Sequence, residues 1–306
     1  MIDLETAEPY VRAHRGMLFV IKVGGECLAS PVRVQRVARE IAMIEAFGAH
    51  PLVVHGAGPQ TDALQRGLGE EPRKVGGRRI TSRLALRALR YATQGELGPD
   101  LALALSTSGA RAVAVGASSG VLVASRRPPL IRAGKRVDFG HVGDLKAVDT
   151  SPLAALVKSG FIPVLSPPAS DGVGGYLNVN ADLVAARLAV ELRADKLILL
   201  TGSAGILGNP EDTASLFSTL SLEELEGLRK KGAIVGGMDV KAEAIRIALE
   251  GGVARVHAVS GIQNEALLSE LYTAEGSGTL ITAEAVPGGG DAAPVRGPSA
   301  IEETVT

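Results

Sequence analysis

The most constraining stretch of the chain is Leu18-Phe-Val-Ile-Lys22-Val, an apolar run with one charge in it that leads straight into Gly24 and Gly25. A run of this length bounded by glycines predicts a strand buried on both faces of a parallel sheet. A lysine inside it needs an anion, because an unpaired buried ammonium costs several kcal/mol. An isolated lysine would more often lay its stem along an edge strand and keep its amine in water. The glycines that follow tilt the reading the other way, since they let a backbone approach a ligand closely. Open α/β sheets bind ligands at the carboxyl ends of their strands, so the stretch predicts an anion site there.

The same strand, glycine turn and helix recur along the chain. Val32 to Phe47 carries apolar residues at 34, 37, 38, 41 and 44, a helical period closed by Gly48. Pro51 to His55 is a second short strand, which runs into Gly56-Ala57-Gly58-Pro59 and a helix from about Gln60 to Gly67. Two anion-suited turns are thus expected side by side at one sheet edge. Residues 70–81 hold Pro72, Gly76 and Gly77 and predict a hairpin or flap carrying a guanidinium of Arg78 or Arg79 towards the site. A helix from Ser82 is interrupted by Gly95, Gly98 and Pro99 before a second helical segment to Ser106. Short strands are expected at 111–115 and 121–125, a hairpin region at 128–148, a helix at 151–159 and a strand at 161–165. The second half restarts with strand 196–201, helices 222–230 and 236–249, strand 253–259, helix 265–272 and strand 279–282. This alternation predicts an α/β fold with a largely parallel sheet covered on both faces. Residues 3–15 read as a short polar helix that packs on the body or on a partner subunit. Residues 284–306, rich in Gly, Pro and Ala, read as a disordered tail.

Composition narrows the chemistry. At 306 residues, 46% hydrophobic and with a net charge of -1, the chain suits one large domain or one domain with two lobes. It lacks the cationic surplus of a dedicated nucleic-acid binder. A lone cysteine, Cys27, can form no intrachain disulfide and points to a reducing cytoplasm, with the thiol itself reading as a small buried apolar group. The first residues show no secretory signal, and no apolar run reaches the ~18 residues of a membrane span. The five histidines show no metal-ligand spacing, so no protein-held metal is expected. The P-loop, the Gly-x-Gly-x-x-Gly turn and the Gly-x-Ser-x-Gly elbow are all absent. What remains is a set of glycine turns, Lys22 and Lys241 beside two of them, Asn178, Asn180 and Asp182. Asp182 reads equally well as a first-turn carboxylate of a helix capped by Asn180 or a neighbour. The whole inventory fits phosphoryl transfer, in which catalysis is mostly positioning and neutralisation of charge.

Val20-Ile-Lys22-Val-Gly-Gly25, Val54-His-Gly-Ala-Gly-Pro59, Leu177-Asn-Val-Asn-Ala-Asp182 and Gly236-Gly-Met-Asp-Val-Lys241, in this order, resemble the amino acid kinase family, and within it the N-acetylglutamate kinases. The similarity runs from about residue 17 to 283. It implies a three-layer αβα sandwich with a mainly parallel central sheet and two lobes, 17–193 for N-acetyl-L-glutamate and 194–283 for ATP, after an N-terminal helix at 1–16. Phosphate would pass to the side-chain carboxylate of acetylglutamate in arginine biosynthesis. By the family pattern Lys22 and Lys241 stabilise the transferring group and Asp182 orients them. Gly25 and Gly56 would offer backbone N–H groups, and Arg79, Asn178 and Asn180 would hold the substrate next to Gly56 and Ala57. Gly24, Gly25, Thr201, Gly205 and Gly237 would face the nucleotide. Mg2+ would be held mainly by nucleotide phosphates, because it keeps its waters and needs few carboxylates.

A second layer of resemblance concerns regulation. Glu8-Pro-Tyr10-Val-Arg and Gly276-Ser-Gly-Thr279 are similar to the terminal segments of the arginine-inhibited, hexameric branch. That implies a homo-oligomer, dimer or hexamer, and an L-arginine site lined by Lys196, His257, Glu270 and Gly276 and closed by Tyr10. His257 and Glu270 also read as a core histidine and a solvated helix residue. Three departures from the family pattern stand out: Ala57 for a glycine, Ala117-Ser-Ser-Gly120 where a Ser-Gly-Lys-Asp turn is usual, and Thr201-Gly202 for Thr-Asp. They leave two other functions open, a kinase of another acylated amino acid such as acetylaminoadipate or a carrier-bound one, and a non-catalytic arginine-sensing homologue.

Overall fold

The computed structural model describes residues 3–284 other than 119, 133, 210 and 235. The expected tail lies almost wholly outside these residues. The first strand, β1 (Leu18–Val23), is buried at every position, as its apolar run requires. It lies at the middle of an eight-stranded sheet. Its neighbour β2 (His50–His55) is parallel to it, with Lys22 opposite Val54. Two more hairpin strands, β3 (Arg73–Val75) and β4 (Arg78–Ile80), form the expected flap. Further along come β5 (Ala112–Gly116), β6 (Leu122–Arg126), the hairpin β7 (Leu130–Arg132) with β8 (Lys135–Val137), and β9 (Gly143–Val148). Then follow β10 (Ile162–Ser166), the two-residue strands β11 (Ala169–Ser170) and β12 (Tyr176–Leu177), β13 (Lys196–Thr201), β14 (Thr219–Ser221), β15 (Arg255–Ser260) and β16 (Thr279–Thr282).

The sheet runs β14-β16-β15-β13-β1-β2-β10-β5, with every neighbouring pair parallel except β15 and β16. The chain first goes from β1 through β2 to the edge strand β5, then sets β10 between β2 and β5, and returns to the other flank of β1 with β13. This reversal of strand order opens a crevice beyond the carboxyl end of β1, where doubly wound sheets place their ligands. A smaller sheet, β12-β11-β6-β9, stands over this end.

Helices cover both faces. On one side lie α1 (Leu4–His14), α2 (Pro31–Ala46), α5 (Gly98–Thr107) and α10 (Ala266–Tyr272), packed over Phe19, Ile21 and Val23. On the other lie α6 (Ser151–Lys158), α7 (Ala181–Glu191), α8 (Leu222–Lys230) and α9 (Gly237–Glu250), packed over Leu18 and Val20. Two further helices, α3 (Gly58–Gly67) and α4 (Arg83–Arg90), support the flap and the second turn. Alternation along β1 therefore turns Lys22, with Leu18 and Val20, towards α7 and α9. The polar helix α1 docks on the body through buried Ala7 and through His14, whose ring meets Phe19 and Tyr272 edge-on. Cys27 is fully buried, as expected of a small apolar group.

One local expectation fails. Gly95, Gly98 and Pro99 do not separate two helices, because a π-helical segment, 91–97, joins α4 to α5 without a gap. Pro99 falls where the π-helical segment passes into α5, a break in the regular i→i−4 ladder that tolerates a missing N–H, and Gly98 is needed because a Cβ would press on the Thr93 carbonyl at 2.9 Å.

Candidate active site

Asp182 lies in the first turn of α7, whose N-cap is Asn180; the Asn180 side-chain oxygen accepts from the N–H of Asp182 at 2.9 Å and of Leu183 at 3.1 Å. The capped turn aims the Asp182 carboxylate back at the sheet. The Lys22 ammonium reaches its Oδ1 at 2.9 Å. From the start of the second turn of α9, the Lys241 ammonium reaches Oδ1 at 3.2 Å and Oδ2 at 3.4 Å. Lys22 is 5% exposed and Asp182 6%. Three groups remote in the chain thus meet in one water-poor place.

Their electrostatics follow from that geometry. Burial alone would drive the Lys22 ammonium to give up its proton, but the Asp182 and Glu26 carboxylates outweigh it and hold its pKa above the usual lysine value. Burial also works against the Asp182 carboxylate, and the two ammonium groups overcome it, so its pKa lies below the usual range. Lys241 is pushed down by burial and then by Lys22, which Asp182 only partly offsets. Two ammonium groups paired to one carboxylate, with Glu26 further off, set positive charge where a migrating phosphoryl group would need it.

The two glycine turns do lie together. A Cβ on Gly25 would come within 2.9 Å of the Gly58 nitrogen and 2.8 Å of the Gln60 side chain, so the backbones can approach only as glycine allows. Gln60 holds them by donating to Gly25 O at 2.7 Å and Leu28 O at 3.1 Å. The expectation that Gly56 offers its N–H needs correction: that group donates to Val23 O at 2.8 Å, continuing the ladder between β2 and β1. Gly24 is similarly engaged, donating to Leu200 O at 3.1 Å. Ala57 is buried at φ -147, a conformation open to any side chain, so its methyl group takes the place of a glycine hydrogen without strain.

Beside this centre is a cavity of about 240 Å³ lined by Arg79, Asn178 and Asn180, with Lys74, Arg78 and Arg127 adding positive charge. Arg79 is fixed by α3: it pairs with Asp62, donates to Gln65 Oε1 at 3.1 Å and to Gly58 O at 3.0 Å. Lys74 and Arg79 outweigh partial burial and hold the Asp62 carboxyl below its ordinary range. Asn178 donates to Thr81 Oγ1 at 2.9 Å. The flap tip reaches across to the start of α9, where a Cβ on Gly77 would lie 3.0 Å from the Gly236 carbonyl carbon. Gly237 opens α9 and is exposed, while Thr201 ends β13 and is buried. Gly205 is buried as well, and packing accounts for it: a Cβ there would meet Thr279 Oγ1 at 2.6 Å and Leu216 at 2.8 Å.

Of the residues expected around arginine, three share a small cavity of about 40 Å³: His257, Glu270 and Gly276. His257 Nδ1 lies 2.8 Å from Glu270 Oε1, and Glu270 Oε2 accepts from the N–H of Ser277 at 2.8 Å and of Gly278 at 2.7 Å. Tyr10 and Lys196 do not line it. Tyr10 is half-buried on α1, and Lys196 is buried with its ammonium 5.8 Å from the Phe19 ring centroid.

Two residues at the centre escaped the sequence reading. Arg127 is buried at the rim of the cavity beside the triad, donating from Nε to Asp144 at 2.9 Å, and its signal is a charged pair just before Pro128. Glu26 is half-buried just beyond Gly25, and its signal is a carboxylate abutting a glycine turn.

The comparisons with known proteins agree with this geometry. The amino acid kinase family model matches residues 17–260. The acetylglutamate kinase of Myxococcus xanthus is 43% identical over 289 residues, 92% of this chain and 94% of that protein. Among solved structures, N-acetylglutamate synthase from Neisseria gonorrhoeae complexed with coenzyme A and N-acetyl-glutamate superposes with a TM-score of 0.79 at 30% identity, over 92% of this chain. The chain spans 63% of that longer synthase. The same synthase complexed with coenzyme A and L-arginine gives 0.77 at 28% identity, over 92% of this chain and 65% of that one. With the triad, the doubly wound sheet and near full-length similarity in hand, the chain belongs to the amino acid kinase family.

Proposed function

We propose that the centre formed by Lys22, Asp182 and Lys241 carries the γ-phosphoryl group of ATP to the side-chain carboxylate of N-acetyl-L-glutamate, giving N-acetylglutamyl 5-phosphate for arginine biosynthesis. The observation that carries the reading is the meeting of two buried ammonium groups on one buried carboxylate, beside a cationic cavity of about 240 Å³. The name of the M. xanthus relative supports both the kinase activity and the substrate.

A side-chain carboxyl with a reference pKa of about 4.3 is already ionised at neutral pH, so the acceptor needs no general base. One of its oxygens attacks the γ-phosphorus, the bond to the β,γ-bridging oxygen breaks, and ADP leaves with the electron pair. Lys22 and Lys241 meet the charge that spreads over the transferring oxygens, and Asp182 keeps both amines aimed at it. Arg79, Asn178 and Asn180 hold acetylglutamate in the 17–193 lobe. The nucleotide lies against Gly24, Gly25, Thr201 and Gly237, with 194–283 as its lobe. Among the described residues no group of three or more His, Cys, Asp or Glu could hold a metal. Mg2+ is carried mainly by nucleotide phosphates and waters, with Glu26 as the carboxylate within reach of the turn. When bound, the ion supplies neutralisation of phosphate charge.

L-Arginine as an effector rests on the His257, Glu270 and Gly276 cluster and on the arginine-bound synthase of like fold. A homo-oligomer, dimer or hexamer, completes the reading; light scattering that gives a dimeric mass removes the hexamer. No helix among the described residues is long and apolar enough to cross a membrane, which is compatible with a cytoplasmic site of action.

The test is acyl-phosphate trapping with hydroxylamine in the presence of ATP, Mg2+ and N-acetyl-L-glutamate. Wild type is expected to form the hydroxamate and Lys22→Ala to form none. Failure of the wild type with every acylated amino acid offered overturns the catalytic reading.

A further inference from the structure

Glu26, the carboxylate within reach of the nucleotide turn, has its side chain over the seam between β1 and β13. Its carboxylate fills the space a Cβ on Gly24 would take, and its Cγ lies 3.2 Å from where a Cβ on Gly202 would stand. Gly24 and Gly202 follow directly on these adjacent strands, whose register pairs Val23 with Leu200. The backbone is anchored, because Arg33 Nη1 donates to Glu26 O at 2.9 Å. The carboxylate itself is half-buried and makes no ion pair among the described residues. A side chain on residue 202 would crowd the Glu26 stem, so glycine there leaves the seam to the Glu26 carboxylate.

We propose that Glu26 makes nucleotide binding depend on Mg2+. The proposal rests on the reading that the Gly24, Gly25 and Thr201 turns receive the triphosphate. A fixed carboxylate beside that path repels a metal-free triphosphate and tolerates, or contacts through water, one whose charge a divalent ion has partly cancelled. Mg2+ suits such a place because one or two carboxylates and the substrate phosphates complete its shell. The field of Glu26 also reaches Lys22 and Lys241, so a nucleotide arriving with its metal leaves the ammonium groups free to face the γ-phosphate.

Isothermal titration with a non-hydrolysable ATP analogue, in excess Mg2+ and again in a chelator, reads this directly without turnover. Glu26→Gln keeps the shape and removes the charge. The wild type is expected to prefer the Mg2+ complex, and the variant to lose about tenfold or more of that preference, part of it by binding the metal-free analogue more tightly. Glu26→Asp keeps the charge and is expected to keep most of the preference. An unchanged ratio in Glu26→Gln overturns the proposal and leaves the nucleotide site standing. A loss in Glu26→Asp equal to that in Glu26→Gln assigns the effect to shape and also overturns it. A wild type that binds neither form overturns the nucleotide site itself, and this proposal with it.

Discussion

Asp182→Asn is the sharpest perturbation, because it removes charge and almost no volume. Asp182 is the carboxylate between two ammonium groups, at 2.9 Å from Lys22 and 3.2 Å from Lys241, and its side chain is 8% exposed. Removing one partner of a buried ion pair costs about 3–5 kcal/mol, since the charge left behind is uncompensated. At roughly 2 °C per kcal/mol for a large domain, the melting temperature at neutral pH should fall by about 6 °C or more. The sign of its pH dependence separates charge from packing. In the variant both lysines keep their burial and lose their anion, so Lys22 loses what holds its folded pKa above that of an unfolded lysine and Lys241, already below that value, drops further. The unfolded chain then binds more protons, and raising the pH through the alkaline range restores stability to the variant relative to wild type. Parallel urea titrations from neutral to alkaline pH, with hydroxamate formation measured alongside, read both effects. Activity should be abolished at every pH. A variant as stable as wild type, or a stability gap that does not narrow as pH rises, would refute the account of Asp182 as the shared counter-ion.

Two further outcomes follow from neighbouring residues. Arg79→Lys exchanges a planar fork held by Asp62, Gln65 and Gly58 for a single ammonium, so the KM for acetylglutamate should rise about tenfold or more with little change in the KM for ATP; steady-state assays that show both constants unchanged would remove Arg79 from the substrate site. His55, fully buried at the end of β2, is held neutral by burial with its pKa lowered to about 4, against about 6.5 when unfolded. The unfolded chain therefore binds the extra proton between these values, and stability should fall by roughly 3 kcal/mol as pH drops from about 6.5 to about 4. Urea unfolding of wild type and His55→Gln across that window checks this, and identical slopes would refute it.

Much of this was legible in local pattern. The run Leu18 to Val23 pointed to a buried parallel strand, and its neighbour Gly24-Gly25 to a close turn, because burial period and glycine freedom act over a few residues. Lys22 stood out as a charge placed where burial makes charge expensive, whereas Asp182 read equally well as a first-turn helix carboxylate and Lys241 as a lysine beside a glycine turn, and the family resemblance joined the three. The π-helical join at 91–97 and the short strands β11 and β14 were not legible. Two or three residues are too few to show a period, and their hydrogen bonds come from segments far along the chain. The same holds for Gly56, whose N–H looks free in sequence and is engaged by Val23 once β1 and β2 align.

The amino-acid sequence by itself determined the order of elements, the buried strand with its lysine, the glycine turns and the family. Tertiary structure alone decided which charges share a space. Asp182 became the common partner of Lys22 and Lys241 because the sheet reverses direction at β1 and brings α7 and α9 over the same face. Glu26 came to lie on Gly202 because β13 returns beside β1. Such pairings depend on how distant segments pack, which no local period encodes.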